Sequence, residues 1–382
     1  MVRFMLKAKS YFQNFLKKFK ASLLTPTLDQ KIRYFNIFKT LAASLLAIVI
    51  TCFILIFASK SPLAAIRALI ISPFKSRFWV GEILRAFVPL VFTGVAASVM
   101  IKCGQFNMIG EGSFYIGGFI GAIVAIYLPI KGFGGVLIAC LAAVAVSLIF
   151  GLVPALLKAK LNVNEFVVSL MLNFIMVWLG MYFLQTFFRD EASGDIATKI
   201  IPDENRFHTL LSGTYLSTGL IVAVVIAVLA GVFLFKNKSG FIIRTTGDNP
   251  AYAKYAGLGV TSAVILSQLL GAAISGLGGA VEVLGGIEGR FNWKALPGFG
   301  FDGFIVAILA GNNPFLVPIA ALFLAYLRTG AVLMSLETDI ASEFIQIIQA
   351  LIIIIVAGQA FLRKLKNRIL FKSEIQSEEV KA

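Results

Sequence analysis

The 382 residues are 59% apolar and 12% aromatic but only 14% charged, against roughly 25% charge in soluble globular proteins; mean hydropathy is +0.90. A soluble fold of this composition would lack the polar groups to cover its surface, so the chain reads as an all-α, polytopic membrane protein. One histidine, three dispersed cysteines and no GxxxxGK[ST] loop exclude a multi-histidine metal site, a disulfide scaffold, a catalytic metal cluster and ATP hydrolysis by that route.

Residues 1–39 hold nine Lys/Arg and one Asp. A tail so long and basic, with no small-residue cleavage site after the first apolar stretch, is not a signal peptide, and we expect it in the cytoplasm. A transmembrane helix needs about 20 mostly apolar residues. Stretches of that kind run at 40–59, 112–130, 132–157, 166–188, 216–235, 255–281, 303–327 and 344–362. A shorter one at 86–101 extends upstream through 79–85. Gly311-Asn312-Asn313-Pro314 divides the 303–327 stretch into a short span and a full one. The expectation is about ten crossings, with Gly-broken helices near the midplane, in a transmembrane domain at 40–362.

The tail at 363–382 carries six Lys/Arg and three Glu, so it too is placed in the cytoplasm, which requires an even number of crossings. Residues 189–214 hold five acids against three bases and are expected outside; residues 236–254 hold four bases and one acid and are expected inside. The net charge of +15 thus marks topology and contact with anionic lipid rather than nucleic acid. The four bases of 60–77 break the pattern, because the count places them outside.

Irregular backbone at membrane depth is tolerated only inside protein or along a cavity. Two glycine-rich segments interrupt the apolar runs: 104–113, containing Asn107 and Glu111, and 298–303, containing Asp302. They lie five spans apart, hence in opposite orientation, as in inverted repeats around a central site. Two readings stand. In one, Asn107, Glu111 and Asp302 line a polar path suited to a neutral polyhydroxylated solute; in the other, both segments are interfacial loops whose acids face water. Glu82, Arg85, Glu165, Glu282 and Arg328 fall near predicted span ends and are read as snorkelling to the headgroups. Glu288, Arg290 and Lys294 occupy a polar connection where solvation explains them. Cys52, Cys103 and Cys140 read as small membrane-core residues.

Between Phe235 and Thr261 the chain reads KNKSGFIIRTTGDNPAYAKYAGLGV. Asp248 and Asn249 precede Pro250, a capping residue followed by a proline suited to a first helical turn. A short helix at 251–256 is expected, stopped by Gly257. Between two spans it would form a docking knob, or else an ordinary loop with one amphipathic turn.

That segment resembles the cytoplasmic coupling loop of bacterial ABC import permeases, specifically the branch for nucleosides, riboflavin and simple sugars. Gly240, Arg244, Gly247, Asn249, Pro250, Ala253, Tyr255, Ala256 and Gly257 meet the pattern G…R..G.NP.AA.YAG, whereas Tyr252 stands where a small residue is commoner. FNMIGEGSFYIGGFIGA is similar to a second block of that branch through Phe106, Asn107, Gly110, Glu111 and Gly112, with Ser113 in place of a glutamine. SGLGGAVEVLGG and GFGFDGFIVAILAGNNP are similar to a third, through Glu282, Gly300, Asp302, Gly303, Asn313 and Pro314 among others.

The resemblance spans roughly residues 40–362. It implies the membrane subunit of a type II-like importer in the cytoplasmic (inner) membrane, multi-pass and without enzyme activity. Its implied partners are a second permease, a cytoplasmic ATPase that binds the ATP, and an extracytoplasmic substrate-binding lipoprotein, for which the acidic 189–214 loop is the expected dock. No cofactor is expected on this chain. Phe106, Asn107, Gly110, Glu111, Ser113, Phe299 and Asp302 are expected at the solute. Arg244, Gly247, Asp248, Asn249, Pro250, Ala253 and Gly257 are expected to couple to the ATPase in the 237–260 loop. Nucleosides are the favoured solute, with riboflavin and simple sugars as alternatives. An ion-coupled secondary transporter, with Glu111 and Asp302 as its ion-binding acids, is the rival class.

Overall fold

Long apolar runs that satisfy every backbone N–H and C=O internally can only be helices in a membrane, and helices dominate this chain. The computed structural model describes residues 60–340 together with Phe53, Ile56, Gln346, Ile347 and Ala350. The expected tails at 1–39 and 363–382, and most of the spans at 40–59 and 344–362, lie outside the described residues. The helices are α1 (Pro62–Ile70), α2 (Arg77–Lys102), α3 (Ile109–Tyr127), α4 (Phe133–Leu161), α5 (Glu165–Phe183), α6 (Gly219–Lys236), α7 (Lys238–Asp248), α8 (Pro250–Tyr255), α9 (Val260–Gly285), α10 (Phe299–Leu309) and α11 (Val317–Glu337). Among the described residues seven are long and apolar enough to cross a membrane: α2–α6, α9 and α11.

Helix α9 is the centre of the bundle. Its glycines let neighbouring backbones touch: a Cβ on Gly279 would fall on the carbonyl oxygen of Phe114 in α3, and one on Gly117 would fall on that of Gly276. Small residues at such crossings gain close van der Waals packing where lipid supplies no hydrophobic drive. Helix α2 runs antiparallel to α9, since Gly271 meets Met100, Gly278 meets Phe92 and Glu282 meets Arg85. Helix α3 runs parallel to it, Gly110 meeting Ser275 and Gly121 meeting Ala280. Ser275 is the sixteenth residue of α9, about 22 Å along a helix of about 39 Å. The α3 start is therefore deep within the bundle.

The two ends of the bundle differ. At one end, here the knob end, α7 packs against the α2 terminus: Cys103 shares a core with Leu234, Ile243, Ala263 and Val264. Burial raises the Cys103 thiol from 9.0 to about 11. At the far end the 189–218 segment makes two isolated antiparallel bridges, Arg189 with Thr198 and Thr209 with Ser217. It clasps the connection after α9 through Ile201 N–H to the Gly289 carbonyl (2.8 Å) and Lys294 to Asp195 (2.6 Å). Lys294, aided by the Ile196 N–H, holds the Asp195 carboxyl below its usual 3.8. Lys294 thus has a specific partner beyond simple solvation.

Three boundaries differ from expectation. The 60–77 segment contains a helix, α1, packed on α11, with Tyr326 donating to the Ile70 carbonyl (2.6 Å). The stretch expected to begin at 255 begins at Val260, because Tyr255 closes α8. The second part of the 303–327 stretch runs on to Glu337, so Arg328 lies in mid-helix and not at a span end. The break at Gly311–Pro314 is where the glycine, asparagine and proline placed it, with Gly311 and Asn312 at positive φ.

Candidate functional site

Between α2 and α3 the chain leaves the helix at Cys103, turns through Gly104 (φ 73°) and stays irregular to Met108. Its backbone groups find side-chain partners, as buried irregular backbone must. Most come from one face of α5, where Glu165, Ser169 and Asn173 recur every fourth residue and so point the same way. Phe106 N–H donates to Glu165 (3.2 Å), Met108 N–H to Ser169 (3.0 Å) and Gly112 N–H to Asn173 (3.0 Å); Asn173 donates back to the Met108 carbonyl (2.9 Å). Asn107 accepts from the Ile109 N–H (2.8 Å) and donates to Gln268 of α9 (2.7 Å), which donates to Gln105 (3.3 Å).

Glu111 turns to the second glycine-rich segment. Its carboxylate accepts from the backbone N–H groups of Gly298 (2.6 Å), Gly300 and Phe301 (3.2 Å). These are the unpaired donors at the start of α10, and a carboxylate there also meets the positive end of the helix dipole. Only a glycine at 300 allows this approach, because a Cβ would lie 2.5 Å from the Glu111 nitrogen. The next acid, Asp302, forms an ion pair with Arg328 of α11. The guanidinium of Arg328 also lies over the Phe299 ring, 5.5 Å from its centroid.

A cavity of about 490 Å³ opens beside this junction, toward the far end. Helix α2 contributes Trp79, Glu82, Arg85 and Pro89, α9 contributes Glu282, α10 contributes Phe299 and α11 contributes Arg328 and Thr329. Arg85 bridges the two carboxylates, at 2.9 Å from Glu82 and 3.5 Å from Glu282. The other Glu82 oxygen, Oε1, is buried without a hydrogen-bond partner. A second cavity of about 520 Å³ is lined by Phe106, Asn162, Asn164 and Phe166 around a Lys158–Glu165 ion pair (3.0 Å). At the second cavity Phe106 packs edge-on against Phe304 (4.4 Å) and tilted against Phe166 (5.5 Å).

At the knob end, α8 begins as its residues require. Asn249 is the N-cap and accepts from the Tyr252 N–H (3.0 Å), and Pro250 opens the first turn. Gly257 (φ 73°) closes it, with Gly257 N–H to the Lys254 carbonyl (3.1 Å) and Leu258 N–H to the Ala253 carbonyl (2.9 Å), the paired bonds of a Schellman stop. Ala253 is buried underneath, whereas Tyr252 is 62% exposed and Tyr255 92% exposed. Arg244 caps the end of α6 by donating to the Leu234 carbonyl (3.0 Å) and stacks over Phe235. Gly247 abuts the α2 terminus so closely that a Cβ would sit 2.1 Å from the Lys102 carbonyl oxygen. The eleven-residue α7 was not anticipated, because its basic and glycine residues read as loop.

The expected solute residues therefore divide. Phe299 lines the 490 Å³ cavity and Phe106 the 520 Å³ one; Asn107, Gly110, Glu111 and Ser113 are buried. Glu111 ties the first irregular segment to the second, Asn107 ties it to Gln268 of α9, and Asp302 orients Arg328. Glu82, Arg85, Glu282 and Arg328, read from sequence as snorkelling near span ends, form the charged wall of the cavity, and sequence reading did not bring them to a site. It also passed over Ser169 and Asn173, whose i, i+4 recurrence with Glu165 on an apolar helix was the available signal. Among the described residues no cluster of His, Cys, Asp and Glu suits a metal ion.

Comparison with known proteins agrees with this architecture. Residues 80–357 match the family described as branched-chain amino acid transport system / permease component. The chain is 29% identical to the guanosine ABC transporter permease protein NupP of Bacillus subtilis (strain 168), over 86% of this chain and 95% of that one. It is 30% identical to the nucleoside ABC transporter permease protein NupB of Lactococcus lactis subsp. cremoris, over 78% and 84%. It is 28% identical to the glucose ABC transporter permease protein TsgB13 of Haloferax volcanii, over 83% and 86%. A membrane bundle matched to this family over most of its length, and to such relatives over nearly their whole length, belongs to the branched-chain amino acid transport system / permease component family, within the nucleoside, riboflavin and simple-sugar branch of ABC importer permeases.

Proposed function

We propose that this subunit carries a nucleoside across the cytoplasmic membrane by alternating access, driven by a separate ATPase docked on α7 and α8. The observation that carries the reading is the pairing of a charged, aromatic-lined cavity deep in the bundle with an exposed, doubly capped helix at the opposite end. The 26 residues of α2 link the two, with Arg85 at the cavity and Lys102 against Gly247. The α8 end is then cytoplasmic, as its basic loop suggests, and both chain ends lie on that side. Tyr252 and Tyr255 present apolar rings with polar tips, suited to a cleft in an ATPase surface. Movement of α7 would pass through Gly247 to the 103–108 segment, and from there through Glu111 to α10. The guanosine and nucleoside names of two relatives favour a nucleoside, and a second permease, an ATPase and an extracytoplasmic binding protein complete the importer.

The rival ion-coupled carrier is less well supported. Its acids would have to release and rebind a cation, yet Glu111 accepts from three backbone donors and Asp302 is paired with Arg328. Reconstitution of this chain with a companion permease, ATPase and binding protein in liposomes tests the proposal. ATP-dependent uptake of labelled nucleoside, lost in Tyr252→Ala/Tyr255→Ala while the complex stays folded, is the expected result. Uptake driven by an ion gradient without ATP would overturn it.

A further inference from the structure

We propose that the far end of the bundle holds an anionic phospholipid of the outer leaflet, its headgroup on Lys75 and Arg77 and one acyl chain in an apolar groove between α2 and α11. The sidedness rests on the permease reading above; the site itself does not. The groove has a volume of about 360 Å³. Val80, Ile83 and Leu84 of α2 form one wall and Ile319, Leu322 and Tyr326 of α11 the other, with Phe74 packed on the Tyr326 ring (5.5 Å between centroids). Phe74 and Ile319 are well exposed. The Tyr326 hydroxyl already donates to the Ile70 carbonyl (2.6 Å), so the walls offer hydrocarbon and no free polar group. Ile319 to Tyr326 is about 10 Å of helix, most of the roughly 15 Å depth of one leaflet of the hydrocarbon core. That is the shape of a seat for one acyl chain.

Charge at the mouth says which lipid. Lys75 and Arg77 fall between Phe74 and Val80, two residues of the groove wall. At the same level Phe78 meets Trp79 and Tyr215 edge-to-face (5.2 and 5.8 Å), a grouping suited to the membrane–water interface. Arg77 is exposed and enters no ion pair among the described residues. Lys75 pairs with Glu337 (3.3 Å), yet its side chain stays 45% exposed. The nearby acids are engaged within the chain, Glu337 by Lys75 and Ser72 and Asp339 by the Lys60 N–H, so the segment 60–77 keeps a surplus of positive charge. With α8 cytoplasmic these bases lie outside, against the ordinary bias of basic residues to the inside. A lipid phosphate gives them a partner there, and the forked donors of an arginine suit it. A zwitterionic headgroup brings its own ammonium into competition, and a free anion has nothing to place in the groove. The chain beyond α11 does not cover this face at Gln346, which lines the 490 Å³ cavity beside Glu82 and Arg85, on the opposite side of α2 from Ile83 and Leu84.

The test uses the detergent-purified complex of this chain with its companion permease and ATPase, and follows lipid adducts by native mass spectrometry. The probes are dioleoyl-phosphatidylglycerol, dioleoyl-phosphatidylcholine with the same chains, and glycerol 3-phosphate with none. Phosphatidylglycerol is expected to bind about tenfold more tightly than phosphatidylcholine, and glycerol 3-phosphate not to bind. Lys75→Gln/Arg77→Gln should bring phosphatidylglycerol down to the phosphatidylcholine level, and Leu322→Trp, which fills the groove, should remove the same excess. Where the groove variant does not fold, the charge variant, confined to two exposed side chains, decides. Equal binding of the two lipids, glycerol 3-phosphate bound as tightly as phosphatidylglycerol, or a preference that survives Lys75→Gln/Arg77→Gln would overturn the inference. So would a Leu322→Cys thiol that stays shielded from a lipid-soluble maleimide after lipid removal, the mark of a protein segment in the groove. All these outcomes leave the permease reading intact. Sidedness is read separately, by labelling Arg77→Cys in intact cells with a membrane-impermeant maleimide. Labelling is expected; labelling only after the cells are opened would defeat the outer-leaflet placement together with the orientation of the permease.

Discussion

Replacing Glu111 by Gln separates a structural role from a solute-binding one, because the side chain keeps its size and loses its charge. Oε1 accepts from Gly298, and Oε2 accepts from Gly300 and Phe301. A glutamine can present one oxygen only. Its better orientation keeps the Gly300 and Phe301 bonds and turns its NH₂ toward the Gly298 N–H, donor against donor. One buried backbone N–H then goes unsatisfied, at about 1–3 kcal/mol. Loss of the negative charge at the α10 start costs about 0.3–2 kcal/mol more. The sum is about 1–5 kcal/mol, enough to lower the Tm of the detergent-purified complex by several degrees. The drop should be the same with and without solute. A Tm unchanged within a degree, together with complete loss of uptake, would refute the capping argument and return Glu111 to the solute or to a proton.

Further outcomes follow from the coupling end and the loops. Gly247→Ala places a Cβ 2.1 Å from the Lys102 carbonyl oxygen; backbone must move, at a cost of about 1–3 kcal/mol, and solute-stimulated ATPase activity should fall while solute binding persists. Asn249→Ala removes the α8 cap at about 1 kcal/mol, and ATPase affinity measured by co-purification should weaken without loss of the bundle. Cys103, held at about 11 against an ordinary 9.0, has a thiolate fraction about 100-fold below that of an unperturbed thiol at neutral pH. It should resist maleimide in the wild-type protein and label faster in Gly247→Ala, as judged by mass spectrometry. Asp195 is lowered by Lys294 and the Ile196 N–H, so its tie to Lys294 is fully present above pH 3.8 and is lost as pH falls through the lowered value. Cleavage within 189–214 by an acid-active protease should therefore accelerate only below that range, and Asp195→Asn should remove the pH step.

Much of the site was legible where local chemistry decides it. Asn249, Pro250 and Gly257 specify the start and stop of a short helix whatever surrounds them, and the Gly311–Pro314 break divided two helices as its residues demand. The interlock of Glu111 with α10 was not legible. Carboxylate and glycine are 187 or more residues apart, and a glycine that lets backbone approach a carboxylate looks in sequence like any other loop glycine. Arg328 was misplaced because an apolar run appears to end at its first charge. In the bundle that charge is held mid-helix by Asp302 from another segment, so the helix continues past it.

Composition and run length alone determined that this is a helical membrane protein, and three short blocks indicated its family. Both follow from interactions within a few residues: apolar side chains must face lipid, and capped turns close upon themselves. Only the tertiary structure decided which polar residues hold the broken segments and which face the cavity. Asn107 and Glu111, the most conspicuous polar residues in the sequence, are consumed inside the bundle, Asn107 by the nearby Ile109 N–H and by Gln268 of α9, Glu111 by backbone donors at the start of α10. Glu82 and Glu282, which read as span-end residues, meet at one arginine in the cavity wall. A polar residue enclosed by a distant partner and one that lines a cavity look alike in one dimension, because the partner that distinguishes them is brought up by packing.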